Sequence, residues 1–381
     1  MKWSPQQDDA LLAVRRWLKD PSGPQVFRLF GYAGTGKSTL ALELASGVSG
    51  GTVFCAFTGK AALVMRRKGC KDASTVHGAI YSPVEDEEGS VNEPQFVLNP
   101  ESPVASAGLV ILDECSMIGE DLGRDLLSFK TKVLVLGDPA QLPPVKGEGY
   151  FTGHTPDIML TEIHRQAADN PIVALATKIR QGEKIHVGSY GQSRVVTRDQ
   201  LDRDDFLSAD QVLVGRNKTR ENVNAWFRQR LGRTGPLPAL GDRLVCLRND
   251  REKKILNGEL FDVVTAPPRL PGERKKSRLP DPDAVDLWVR SEDAPAGLRP
   301  KDVRVRKEFF LGGAEDLQWS DRRAYDEFTY GYALTVHKAQ GSQWDNVLVC
   351  DESSIFRETR MNHLYTAVTR AAERVTVVVT Q

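Results

Sequence analysis

The segment GYAGTGKS, residues 31–38, constrains this chain more than any other. It follows the apolar run QVFRLF and precedes KSTLALELASGV, so it reads as the loop between a buried strand and a helix. Glycines at this spacing let successive backbone N–H groups wrap phosphate oxygens, and the helix N-terminus behind them adds partial positive charge. On that pattern Gly31, Tyr32, Ala33, Gly34, Thr35, Gly36 and Thr39 cradle a nucleotide such as ATP, Lys37 reaches its β- and γ-phosphates, and Ser38 is a ligand for Mg²⁺. A phosphate loop in this context requires a parallel α/β sheet.

The surrounding pattern agrees. TVFCAFTGKAA, LVILDECS and KVLVLGDPAQ are further apolar strands ending in polar loops, separated by helical segments. That alternation predicts an α/β fold with a parallel sheet covered on both faces. Residues 82–106 interrupt it with turn-forming residues and no helical period, which predicts an inserted β-hairpin. A second alternating region contains PIVALATKIRQG, QVLVGRNKTRENVNAWFRQRLG and NVLVCDES, and closes with LYTAVTRAAERVTVVVT as helix then strand. Within it, residues 235–328 carry short β runs such as GELFDVV and DLWVR between Pro- and Gly-rich breaks, as expected of a small β-barrel. The chain of 381 residues has room for several such units.

Lysines plus arginines and aspartates plus glutamates both number 51, so any nucleic-acid surface must be local rather than global. The five cysteines are scattered, with no CxxC pair and no His cluster at zinc spacing, as in a cytoplasmic protein with reduced thiols. The N-terminal residues lack a signal-peptide pattern, and no apolar run is long enough to span a membrane.

Strand LVILDECS delivers Asp113 and Glu114 side by side. Asp113 suits Mg²⁺, directly or through water, and Glu114 suits a general base toward the attacking water. LVLGDPAQLPPV ends a neighbouring strand in a proline-stiffened loop whose Gln141 can hydrogen-bond a γ-phosphate or that water. Arg165 and Arg370 lie in the second region, and a guanidinium from either can neutralise charge developing on the γ-phosphate. In TVHKAQGSQW, Thr335, His337 and Lys338 suit backbone phosphates, and Gln340 and Gly341 suit the nucleotide.

Together these segments resemble superfamily 1 DNA helicases of the 5′-to-3′ branch (superfamily 1B), most closely the RecD-like and Dda-like proteins, over nearly the whole chain. WSPQQ resembles the adenine-reading segment, with Gln7 at the glutamine position. GYAGTGKS resembles motif I, TGKAA motif Ia, STVHGAI motif Ib, DECS motif II, GDPAQLPP motif III, LTEIHRQ motif IV, TVHKAQGSQ motif V and LYTAVTRA motif VI. The resemblance implies two RecA-like P-loop domains, 1A at 1–81 and 107–153 and 2A at 154–234 and 329–381. It also implies a hairpin pin 1B at 82–106 and an SH3-like insert 2B at 235–328. It implies ATP-driven 5′-to-3′ translocation on single-stranded DNA and unwinding of forked duplex DNA by a monomer, with partner proteins of replication or repair. Thr58, Lys60, Thr75 and His77 would hold the strand from the first domain, and Asn217, Thr335, His337 and Lys338 from the second.

Gln343 departs from the family, which often has Glu after the motif V Gly-Ser. Tyr81, Phe57 and Trp344 are candidates for base stacking, with core packing as the alternative role. The acids Glu85, Asp86, Glu87 and Glu88 are expected at the hairpin tip, away from DNA, and the basic run 269–278 is read as a solvated loop or a duplex contact. Two other activities fit the same segments: a DNA-stimulated ATPase that remodels nucleoprotein without efficient unwinding, and a nucleotide-gated single-strand-binding module. RNA is an alternative track, because phosphate contacts do not distinguish the sugars.

Overall fold

A computed structural model describes residues 3–84, 96–144, 147, 149–162, 170–250, 252–268, 279–295 and 297–379. The chain forms two compact units. The first comprises 1–83, 96–217 and 335–381, and the second 84–95 and 218–334.

The first unit contains two sheets. In one, the strands run Ser74–Thr75, Thr52–Ala56, Leu109–Asp113, Val133–Gly137, Val26–Gly31 and Ile158–Leu160 in spatial order. Every pairing is parallel. Residues of the central strands alternate between two cores. Leu29, Ile111 and Leu134 pack with Leu11 and Leu40 on one face, whereas Phe30, Leu112 and Val135 pack with Ile80 and Leu126 on the other. Period-2 alternation into two apolar layers is why these strands read as continuous hydrophobic runs. The register aligns Phe30 with Gly137 and Leu112 with Val135, so Gly31, Asp113 and Asp138 emerge at one edge.

The other sheet pairs Gln211–Val214, Trp344–Cys350, Ala371–Val379 and Ser193–Thr197 in parallel, with Gly188–Tyr190 added antiparallel. Pro171–Arg180 and Arg360–Val368 are the helices that matter for the site. Among the described residues, no helix is long and apolar enough to cross a membrane.

The described strands of the hairpin end at Leu98, before residue 106. Tyr81–Pro83 pairs antiparallel with Phe96–Leu98, but Ser102 caps a short helix at Pro103–Ser106, which the turn-rich composition hid. The four acids from Glu85 to Glu88 lie outside the described residues.

The second unit holds an antiparallel sheet in the order Lys301–Arg306, Ala284–Ser291, Leu260–Val264, Arg243–Cys246, Phe328–Tyr330. Its inner face is Leu244, Phe261, Val289, Val303, Val305 and Phe328. A bridge between Val305 and Asp326 draws the two edge strands together, so the sheet curls in the manner of a small barrel. Fully buried Asp242 accepts from Arg228 Nε at 3.2 Å, Tyr332 Oη at 2.9 Å and Ala239 N at 2.7 Å. A buried carboxylate is tolerated only when paired and hydrogen-bonded in this way. The basic run 269–278 lies outside the described residues.

Candidate active site

The phosphate loop joins strand Val26–Gly31 to helix Lys37–Ala45. Gly36 has φ +81°, and a Cβ there would meet Gln7 Nε2 at 2.7 Å, so both backbone conformation and space demand glycine. Gln7 is buried. Its Nε2 donates to Thr35 O at 3.0 Å, and its Oε1 accepts from Ser4 N at 3.0 Å. The side chain expected to read adenine thus braces the phosphate loop, with both ends of its amide engaged. Lys37 Nζ donates to Gly31 O at 2.5 Å and Tyr32 O at 3.1 Å. The Arg180 guanidinium stacks on the Tyr32 ring at 3.6 Å.

Asp113 and Glu114 leave the adjacent strand. Asp113 Oδ2 accepts from Ser38 Oγ at 3.5 Å, and Asp113 Oδ1 accepts from Glu114 N at 2.8 Å. Burial, and then the Glu114 charge, push the Asp113 carboxyl above the usual carboxylate range. Glu114 has φ +53° and ψ +46°, a left-handed conformation that costs a non-glycine residue roughly 1–2 kcal/mol. Strain of this kind persists where surrounding structure imposes it. Here it turns the carboxylate toward Arg370, whose Nη1 lies 3.8 Å from Glu114 Oε1.

Arg370 follows helix Arg360–Val368 and is itself buried. Nε donates to Thr366 O at 3.1 Å, Nη1 to Ser342 O at 3.3 Å and Nη2 to Thr369 Oγ1 at 3.3 Å. Lys37, Ser38, Asp113, Glu114, Gln141, Gly341, Gln343 and Arg370 line one cavity of ≈ 190 Å³ within the first unit. Arg165, the other expected arginine, lies outside the described residues.

The loop bearing Gln141 is gripped from the second sheet. Asn362 Nδ2 donates to Ala140 O at 3.1 Å, Leu142 N donates to Thr366 Oγ1 at 2.9 Å, and Gln340 Nε2 donates to Leu142 O at 3.0 Å. Gln340 therefore holds this loop rather than lining the cavity. Gln141 Oε1 is buried without a partner among the described residues, an acceptor available to a bound donor. Asp138 is buried too, which raises its carboxyl's pKa. Tyr365, Asn362 and Thr366 were not singled out from the sequence. The spacing of Tyr365 and Thr366 from Asn362, at three and four residues, was the available signal, because it places polar groups on one helix face.

The residues expected on DNA divide. Thr58 Oγ1 accepts from Ala61 N at 3.1 Å and Thr75 Oγ1 from Gly78 N at 3.0 Å, so both hydroxyls cap helices. Thr335 is buried and its Oγ1 accepts from Lys338 N at 3.4 Å. Lys60, the second residue of the helix capped by Thr58, is only 6 % exposed. His77, Asn217 and Lys338 are exposed. Gly341 has φ +76°, and a Cβ there would lie 2.6 Å from Ala61 Cβ and 3.1 Å from Thr58 Oγ1, which brings the Thr58 and Thr335 segments together. His77 contacts Tyr81 at 4.6 Å and Phe96 at 4.5 Å between ring centroids, and Phe57 is 37 % exposed.

A phosphate loop, paired acids and an arginine delivered from a second sheet define a P-loop nucleotide-binding fold of the two-RecA-domain kind. Residues 4–199 match the AAA domain family, and residues 330–378 match the UvrD-like helicase C-terminal domain. The chain is 31% identical to the ATP-dependent RecD2 DNA helicase of Deinococcus radiodurans over 393 residues, covering 94% of this chain and 47% of that protein. It thus spans about half the length of that relative. The Pif1 helicase from Bacteroides, solved with ADP-AlF3 and ssDNA, superposes with TM-score 0.57 at 17% identity, covering 100% of this chain and 95% of that one. Pif1 from Candida albicans gives TM-score 0.53 at 16% identity, covering 100% and 96%. The chain belongs to the AAA-domain family.

Proposed function

We propose that the chain is the motor of an ATP-dependent DNA helicase, moving 5′ to 3′ on single-stranded DNA and unwinding forked duplex. The observation that carries this reading is Arg370 Nη1 lying 3.8 Å from Glu114 Oε1, in the cavity that Lys37 also lines. The hydrolytic base and the charge-stabilising arginine come from different sheets, so turnover depends on how those sheets meet.

In this reading the phosphate loop and Lys37 hold the triphosphate. Glu114 accepts the proton of the attacking water, and Arg370, joined by Arg165, neutralises γ-phosphate charge. Gln141 orients the water and relays its presence through the loop held by Asn362 and Thr366. Ser38 Oγ and Asp113 Oδ2, 3.5 Å apart, are hard oxygen donors that fit Mg²⁺, whose charge neutralises phosphate oxygens when bound. DNA runs over the helices capped by Thr58 and Thr75 and along Asn217, His337 and Lys338. Backbone N–H groups at those helix starts, rather than the capping hydroxyls, meet the phosphates. His77, Tyr81 and Phe96 offer ring faces to bases. The domain division expected from the sequence, with a pin at 82–106 and an insert at 235–328, belongs to this proposal. So do cytoplasmic location, action as a monomer and association with replication or repair proteins. The Bacteroides Pif1 complex with ADP-AlF3 and ssDNA supports the same ligands here.

The test is strand separation on tailed duplexes with ATP and Mg²⁺. Product from a 5′-tailed substrate and none from a 3′-tailed one supports the reading. ATP turnover with no product from either indicates a translocase, and undiminished turnover in Lys37→Ala removes the proposed site.

A further inference from the structure

Tyr365 stands where the phosphate loop and the Gln141 loop meet the second sheet. Its ring is 1% exposed, and its hydroxyl makes two contacts with the first sheet's loops. It accepts from Ala33 N at 2.9 Å and donates to Asp138 Oδ2 at 2.6 Å. Asp138 is buried, and its other oxygen accepts from Ala140 N at 3.0 Å, so this carboxylate anchors the turn that carries Gln141. A hydroxyl bonded to a buried carboxylate is stronger than a neutral pair, and neighbouring bonds reinforce it.

The arrangement is more than packing. A phenyl ring would fill the same space, and only the hydroxyl reaches Ala33 and Asp138. Neither partner lies on the tyrosine's own sheet. Tyr365 shares its helix with Asn362 and Thr366, which hold Ala140 O and Leu142 N, and that helix leads directly into Arg370. One hydroxyl therefore ties together the loop that grips phosphate, the loop that carries Gln141 and the segment that delivers the arginine.

Resting on the reading of the cavity as an ATP-hydrolysing site, we infer that Tyr365 is a positioning residue that sets Arg370 against Glu114 only while the phosphate loop and the Gln141 loop are both docked on its hydroxyl. It touches no reacting atom. Nucleotide is held by the phosphate loop with or without the bridge, whereas the transition state needs the arginine in register. Loss of the hydroxyl should therefore lower kcat and leave KM for ATP unchanged, the pattern of an interaction used in the transition state.

The test is steady-state ATPase with saturating single-stranded DNA, using the full chain and its Tyr365→Phe, Asp138→Asn and double variants. The expected result is a kcat lower by about tenfold or more in Tyr365→Phe, the size of one hydrogen bond to a charged group. Asp138→Asn should show a similar loss, and the double variant should be no worse than the more impaired single one, because the two act as a unit. An unchanged kcat in Tyr365→Phe, a loss in KM instead, or additive losses in the double variant would overturn the inference. Absence of DNA-stimulated turnover in the unaltered chain would instead strike the functional reading, so the two failures are distinct.

Discussion

Glu114 and Arg370 come from different sheets, yet their side chains approach to 3.8 Å across the cavity. Arg370 is 6% exposed and satisfied by Thr366, Ser342 and Thr369, so its guanidinium is fixed before any ligand arrives. Preorganised charge of this kind acts where charge develops, at no cost of reorganisation. Arg370→Ala should lower DNA-stimulated kcat by roughly 10³-fold or more, as removal of an arginine finger does. ATP affinity, measured with a fluorescent analogue, should change little by comparison. A fall confined to affinity would place Arg370 outside the chemistry.

The left-handed backbone of Glu114 separates stability from function at one position. Glu114→Ala and Glu114→Gly both remove the proposed base and should both be inactive. They differ in folding. Alanine keeps the strain of roughly 1–2 kcal/mol, whereas glycine relieves it and returns about 0.4–1 kcal/mol to the freedom of the unfolded chain. The glycine variant should therefore be the more stable by about 0.5 kcal/mol or more in urea denaturation. A more stable alanine variant would show that the conformation carries no strain.

His363 supplies a pH dependence separate from that of Asp113 and Glu114. It is 1% exposed, stacks on Phe356 at 4.1 Å, and neither ring nitrogen has a hydrogen-bond partner among the described residues. Burial first, and the neighbouring His337 second, hold its pKa down at about 3. Burial depresses His337 as well, and the rings lie 6.2 Å apart. The folded state thus excludes a proton that the unfolded chain accepts from about pH 6.5 downward. The resulting stability is fully present above about pH 6.5 and is lost as pH falls toward 3, at up to about 1.4 kcal/mol per pH unit. Urea midpoints between pH 7 and pH 5 should fall less steeply in His363→Leu, which has no proton to exclude. Parallel slopes would assign the acid limb to other groups.

The phosphate loop, the paired acids and Arg370 were legible from the sequence because each is a short polar segment ending an apolar run. The parallel register then brings those ends to one edge without further information. What was not legible depends on tertiary contact. Tyr365 and Thr366 sit in a segment whose arginine drew attention, but nothing local says that Tyr365 reaches Ala33 or that Thr366 reaches Leu142. Gln7 matches an adenine-reading position, yet its packing under Gly36 turns the amide toward the phosphate loop. Lys60 reads as a strand contact from its motif, and no local pattern shows that its helix leaves it only 6% exposed. Thr58 and Thr75 read as phosphate ligands because capping hydroxyls and phosphate ligands favour the same residue types at helix starts.

The exposed face of the hairpin gives a test of how single strands are held. Phe96, Val97 and Leu98 are 42%, 53% and 38% exposed, and Phe96 meets His77 edge-on at 4.5 Å. Three adjacent exposed apolar side chains on a short strand contribute little to the core, so their burial must come from a ligand if it comes at all. A ring presented beside His77 and Tyr81 can stack on a base without regard to sequence, worth about 1–3 kcal/mol per base. Phe96→Ala should weaken single-stranded DNA binding by that amount while leaving the urea midpoint nearly unchanged. Its plot of log affinity against log salt should keep the original slope, because stacking releases no counterions. Lys338→Ala, by contrast, should weaken binding uniformly across sequences and reduce that slope by about 1, the mark of one lost phosphate contact. A Phe96→Ala variant that bound DNA normally would leave the strand held by its phosphates alone.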